Sequence, residues 1–294
     1  MTTIRFPAEV RSDINGYLWL AQTASALEPL KAQKVHLDAS RLRWFDANLC
    51  GPLGAVLSRA RTKINSFDWD APPGKVLEIW MKNGFSIHLP SVGLPDTYDT
   101  TIAYRRFALG EERAFVSYVS RELLTEGRLP RVTEGAKRRL EGYFHEVFNN
   151  AALHSASSAG VWTCGQHFPT KERLDFAVTD LGLGFGDKVR GFLRDDKKDA
   201  ACIEWAMQPG NTTRTGDIPG GLGLKRLRDF IADNGGQLHI VSGDGCWFLH
   251  PNGKVSSHTL ARPFAGTLLN LSFNTQNDEF YGEDEALVEE ISLF

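Results

Sequence analysis

The stretch Glu146–Ser155, "EVFNNAALHS", lies in an apolar, helix-like run and carries Glu146, Asn150 and His154 at four-residue spacing. Side chains four apart on a helix lie above one another, so these three form one polar stripe. The helix that holds them is predicted from about Glu134 to His154, with Thr133 as its N-cap. Leu140, Phe144, Val147, Phe148 and Ala151 share an apolar face, and the stripe runs along its flank. Such a helix packs on a sheet and keeps its polar edge at a rim. Taken alone, the stripe is better explained as a solvated helix edge.

Downstream of this helix, "AGVWTCGQHF" and "RLDFAVTD" are predicted strands. In the second, Leu174, Phe176 and Val178 alternate with Asp175, Ala177 and Thr179. "LGLKRLRDFIADNGG" is a helix ended by Gly235, and "QLHIVS", a hairpin around "HPNGK" and the strand "TLLNLSF" follow. Upstream stands the helix "ERAFVSYVSRELL", preceded by a turn-rich linker from Pro90 to about Arg106. Before the linker, the strand-like "TIRFPAEV" and "KVHLDASRL" alternate with helices "GYLWLAQTASALEPL" and "NLCGPLGAVLSRARTK". Asp68 to Gly74, "DWDAPPG", is expected to be a loop, and "KVLEIWMKNGF" a helix stopped by Gly84. The organisation expected is α/β throughout: a small first domain (residues 1–100), a second domain (101–276) and an acidic tail (277–294) that is either a solvated extension or a docking segment for a partner.

With 294 residues, 42% hydrophobic and 23% charged, the chain has the composition of a globular protein, and its net charge of -3 gives no general reason to expect nucleic acid. The four cysteines form no CxxC pair and fit reduced thiols. There is no apolar signal core at the N-terminus and no run of membrane-spanning length, so no membrane association is expected and the cytoplasm is the expected location.

Three more features follow the stripe. Asp180 ends the alternating strand and precedes Gly182, Gly184 and Gly186. A carboxylate there can accept a hydrogen bond from an exocyclic amine such as adenine's, and glycines beside it let a flat ring approach the backbone. A β-to-α turn with an Asp cap is the plainer explanation of this motif alone. Gly220, Gly221 and Gly223 stand before or in the first turn of a helix, where free N–H groups favour phosphate, although a flexible loop feeding a helix explains this motif alone equally well. Gly266 and Thr267 stand at the start of the last strand. In the stripe, Asn150 can offer an oxygen to Mg2+, Glu146 can orient or deprotonate a nucleophile, and His154 can donate to a phosphate.

In this order the four features resemble the ATP-binding domain of the GHKL superfamily, which includes gyrase, the ninety-kilodalton heat-shock chaperones, mismatch-repair MutL and histidine kinases. The resemblance covers roughly residues 105 to 275. It implies an α/β sandwich with helices packed on one face of a mixed sheet, and ATP with Mg2+ as cofactors. By the same resemblance Glu146 is the activating base, Asn150 the Mg2+ ligand and Asp180 the adenine reader, supported by Gly182 and Gly184. The "GGLGL" run (Gly220, Gly221, Leu222, Gly223, Leu224) lines the phosphates, with Gly221 and Gly223 in contact, and Thr267 helps hold the adenine side. Phe185 to Pro219 becomes a mobile lid, with Thr212, Thr213 and Arg214 as phosphate contacts and Lys225 as another. Rival nucleotide motifs fit less well: "GGLGLKRL" lacks P-loop spacing, and "GLGFG" gives GxGxG where a Rossmann turn needs GxGxxG.

The stretch "VHLDASRLRWFDANLCGPLGAVLSRAR" resembles a STAS domain, the fold of anti-sigma factor antagonists. There an Asp precedes a phosphorylated Ser, but here Asp46 is followed by Ala47 and Asn48, which removes the phosphoacceptor. The resemblances leave three functions: a regulatory ATP-binding protein whose slow hydrolysis or lid closure controls docking to a protein partner, an anti-sigma-type serine kinase acting on a separate STAS-like partner, or a module that holds ATP without turnover. A base at Glu146 argues against the last. No His precedes His145 in the helices just upstream, which argues against a histidine kinase of ordinary layout.

Overall fold

Residues 2–129, 132–154, 159–213 and 223–276 are described by a computed structural model of the chain, with the backbone alone described for Leu153 and His154. β1 (Thr2–Arg5) and the short β2 (Glu9–Val10) lead into α1 (Ile14–Leu27). Asp13 caps α1 by accepting the N–H groups of Asn15 and Gly16, a contribution of about 1 kcal/mol. Then come β3 (Lys34–Asp38), β4 (Trp44–Phe45), α2 (Cys50–Thr62), β5 (Ser66–Asp70) and α3 (Lys75–Lys82). β3 lies between β1 and β5 in a parallel sheet, as it must when a helix carries the chain from each strand to the next. β2 and β4 form a second parallel pair. After α3 the chain turns at Gly84, which adopts the left-handed φ of +83°.

β5 corrects one expectation: Asp68–Asp70 belongs to a strand, and the loop is confined to residues 71–74. Trp69 packs on Phe6 and Trp80, with ring centroids 5.9 Å from each, while Asp68 and Asp70 lie 3.4 and 3.1 Å from the His36 ring. An edge strand tolerates such charges, and they hid it in the sequence.

The second half contains β6 (Thr101–Phe107), α4 (Glu112–Glu122), α5 (Glu134–His154), β7 (Val161–Phe168), β8 (Arg173–Asp180), α6 (Phe185–Leu193), α7 (Asp199–Met207), α8 (Gly223–Asp233), β9 (Gln237–Leu249) and β10 (Val255–Asn274). α5 starts as expected, with Thr133 Oγ1 accepting the Ala136 N–H at 3.2 Å. Five strands form one sheet in the order β6-β7-β8-β10-β9. Every neighbouring pair is antiparallel, so the mixed sheet implied by the family resemblance is not what forms. β6 is an edge strand of this sheet, which removes Thr101–Arg106 from the expected linker. β10 is much longer than "TLLNLSF"; register shifts around Phe264 carry its pairing with β9 past Pro263.

Alternation along the strands assigns two faces. Val161, Phe176, Val178, Ile240, Trp247 and Leu269 join α4, α5 and α8 in one core. Their neighbours Trp162, Val241, Phe248 and Leu268 join Tyr17 and Leu20 of α1 and Leu53 and Val56 of α2 in another. The sheet is therefore covered on both faces, and the second core draws on residues from both sides of residue 100. Three hydrogen bonds cross or flank this seam: Tyr17 Oη bonds His239 Nδ1 at 2.8 Å, and Asn48 Nδ2 donates to Asn270 Oδ1 and to Ser12 Oγ. No helix among the described residues is long and apolar enough to cross a membrane.

Candidate functional site

β8 ends at Asp180, flanked by Val161 of β7 and Thr267 of β10. Beyond it the chain folds back, and the Gly182 N–H donates to Asp180 Oδ1 at 2.8 Å, a local turn of the kind Asp favours. The carboxylate is buried, which raises its pKa to about 6 against the opposing pull of the Gly182 N–H and of Lys188. Burial lowers the pKa of Lys188, in α6, against the pull of Asp180.

The Gly-Thr pair is dictated by the approach of β10 to β8. Gly266 has φ +98°, and a Cβ on it would lie 2.1 Å from the Asp180 carbonyl oxygen. Ser242 of β9 ties this corner together: its hydroxyl donates to the Gly266 carbonyl and accepts the Phe185 N–H, each at 2.9 Å. The same hydroxyl lies where a Cβ on Gly184 would go, at 2.3 Å. Packing inside the protein is thus a reason for glycine at position 184.

α5 brings Asn150 to the same place. Asn150, Asp180, Thr212, Thr213, Leu224 and Thr267, all expected from sequence, line one cavity of about 120 Å3 together with Lys188, Phe185 and Trp205. That volume is below the roughly 300–1,000 Å3 of ordinary ligand clefts. The segment joining Thr213 to Gly223, with Arg214, Gly220, Gly221 and Leu222, lies outside the described residues, as does the His154 side chain.

Glu146, one turn before Asn150, faces α8. Its Oε2 accepts the Gly223 N–H at 2.6 Å, which satisfies a first-turn donor at the positive end of that helix. Lys225 is turned to the protein backbone, with Nζ donating to the Asn211 carbonyl. Gly182 and Gly184 line a separate open cleft of about 1,100 Å3, reached from the end of α2 and bordered by Arg61 and Arg106. Residues 180–190 therefore form a wall between two spaces. Asp180, Phe185 and Lys188 face one, and Gly182, Gly184, Asp187 and Arg190 face the other.

Of the segment Phe185 to Pro219, expected as a lid, residues 214–219 lie outside the described residues. Its first part is α6 and α7, and α7 buries Cys202, Ile203 and Met207 and holds β9 through the Trp247 Nε1–Glu204 hydrogen bond. The four cysteines are buried and form no disulfide. Among the described residues no group of three or more His, Cys, Asp or Glu is placed to hold a metal ion.

Lys188 and Ser242 are among the residues of the site that the sequence did not point to. Ser242 becomes visible only through the pairing of β9 with β10. Lys188 carries no motif, and its one signal in the sequence is a positive charge early in the helix after Asp180. Comparison of the chain with protein-family models gives no match, and no curated protein matches it at a significant level.

Proposed function

We propose that the chain binds Mg-ATP in the cavity between α5, α6 and the end of β8, as a GHKL-type regulatory ATP-binding protein of the cytoplasm whose nucleotide state governs docking to a protein partner. In this reading the first hundred residues are a STAS-like domain fixed to the back of the sheet. The observation that carries it is the meeting of Asp180 and Asn150 in one cavity, although one ends a strand and the other lies thirty residues earlier on a helix. Thr267, Thr212 and Thr213 line the same cavity, which supports this reading.

The donor set suits a magnesium nucleotide better than a resident metal. Asn150 supplies a single neutral oxygen, and Mg2+ ordinarily completes its shell with substrate phosphates and water. When bound, the ion would neutralise phosphate charge; the residues themselves orient the base and hold the helix ends around it. Glu146 is fixed between α5 and α8, next to the end of the glycine cluster, which suits a carboxylate acting near the terminal phosphate. Asn48 occupies the seam between the halves, so a phosphate acceptor for the kinase alternative would have to come from another chain.

The test is a calorimetric titration of Mg-ATP into the full chain and into Asp180→Asn. The variant loses a hydrogen bond to a charged acceptor and should bind roughly ten- to a hundredfold more weakly. Equal affinities would remove Asp180 as the base reader.

A further inference from the structure

Lys188 is the cavity residue that the motifs leave unexplained. It and Asp180 are the only charged side chains among the described residues that line the cavity. The rest of the wall is apolar or neutral, its polar residues being Asn150, Asn211, Thr212, Thr213 and Thr267. The two charges belong to consecutive elements, the end of β8 and the second turn of α6. They act on each other, each opposing the shift that burial imposes on its neighbour.

A carboxylate beside an ammonium is an acceptor beside a donor. Purines present the complementary pattern in two versions. Adenine sets its exocyclic N–H donors beside the N1 acceptor, whereas guanine sets its N1–H donor beside the O6 acceptor. A carboxylate alone can accept from adenine's amine or from guanine's N1–H, but beside guanine it also meets the repulsion of O6, which a neighbouring cation offsets. A lysine has three rotatable donors on a flexible stem and can meet N1 in one case or O6 in the other.

We propose that Asp180 and Lys188 together read the purine edge and that the site admits guanine as well as adenine nucleotides. The proposal rests on the nucleotide reading above and is separable from it. Its test is displacement of a fluorescent ATP analogue from the full chain by Mg-ATP and by Mg-GTP. GTP should compete with an affinity within about tenfold of that of ATP, the scale of one charged hydrogen bond. Lys188→Met should raise the ATP-to-GTP affinity ratio by about tenfold or more, and Lys188→Arg, which keeps the donor, should restore it. A larger preference for ATP in the unmodified chain, or a ratio unmoved by Lys188→Met, would overturn the proposal and leave ATP binding standing. Failure of ATP itself to bind would overturn the nucleotide reading and the proposal with it. Circular dichroism of both variants checks that their folds are intact.

Discussion

Glu146 Oε2 accepts the backbone N–H of Gly223 at 2.6 Å, so the helix with the polar stripe and the helix after the glycine cluster are tied at one point. The contact demands a glycine: a Cβ on residue 223 would lie 2.5 Å from that oxygen and 2.6 Å from the Glu146 Cβ.

Gly223→Ala should therefore push α8 away from α5. The oxygen can swing aside, but the Glu146 Cβ can move only with its helix. A loss of about 1–3 kcal/mol in stability is expected, as for other overpacked contacts, together with weaker Mg-ATP binding. Denaturant unfolding and titration check both, and an alanine variant as stable as the parent would show that the helices separate without cost.

Glu146→Ala and Glu146→Gln separate two roles of one carboxylate. Alanine removes the acceptor for Gly223 and should cost about 0.5–2 kcal/mol, in the range of a lost helix cap. Glutamine keeps an acceptor oxygen but is not a base. Both variants are expected to bind Mg-ATP and lose phosphate release, with the stability defect confined to alanine. Phosphate release at the parent rate by the glutamine variant would rule Glu146 out as the base.

Four buried groups should set opposing slopes of stability against pH. Burial raises Asp175 and Asp180 to about 6 from 3.8, so the native state takes up their protons before the unfolded chain does. Their effect favours the native state increasingly as pH falls from 6 toward 4. Burial, helped by Arg61 and His250 respectively, lowers His88 to about 3 and His239 to about 4 from 6.5. Stability from these histidines is complete above pH 6.5 and is lost as pH falls toward 4. The two effects offset each other between about pH 6 and 4. In the double variant Asp175→Asn, Asp180→Asn only the histidines remain, and stability should fall more steeply over that range, by roughly 1–3 kcal/mol. Denaturation midpoints at several pH values measure this; parallel curves for parent and variant would contradict it.

The parts of the fold legible in the sequence were those with one solvent-free face and a clear period. α5 shows its helical spacing from Leu140 to Ala151, and β8 shows alternation from Leu174 to Thr179. Edge strands were not legible. β5 carries Asp68 and Asp70 beside a Pro-Pro-Gly turn, and β6 carries exposed Arg105 and Arg106 beside a turn-rich stretch. The alternation in β8, β9 and β10 also hid something: Asp175, His239, Asn270 and Ser272 look like solvent-facing positions but are buried against the first half. Their partners lie more than two hundred residues away for His239 and Asn270, where no local pattern can reveal them. Within the candidate site, spacing and glycine content pointed to Asn150, Asp180 and Thr267. They could not reveal that Glu146 grips Gly223, or that Lys188 shares the space with Asp180.

Because residues before and after position 100 share the core behind the sheet, a cut at that position would open the core. A fragment beginning there would inherit a greasy back, with Trp162, Phe248 and Phe264 unsheltered and His239 and Asn270 stripped of Tyr17 and Asn48. The first hundred residues are, for the remainder, less an appendage than its missing wall.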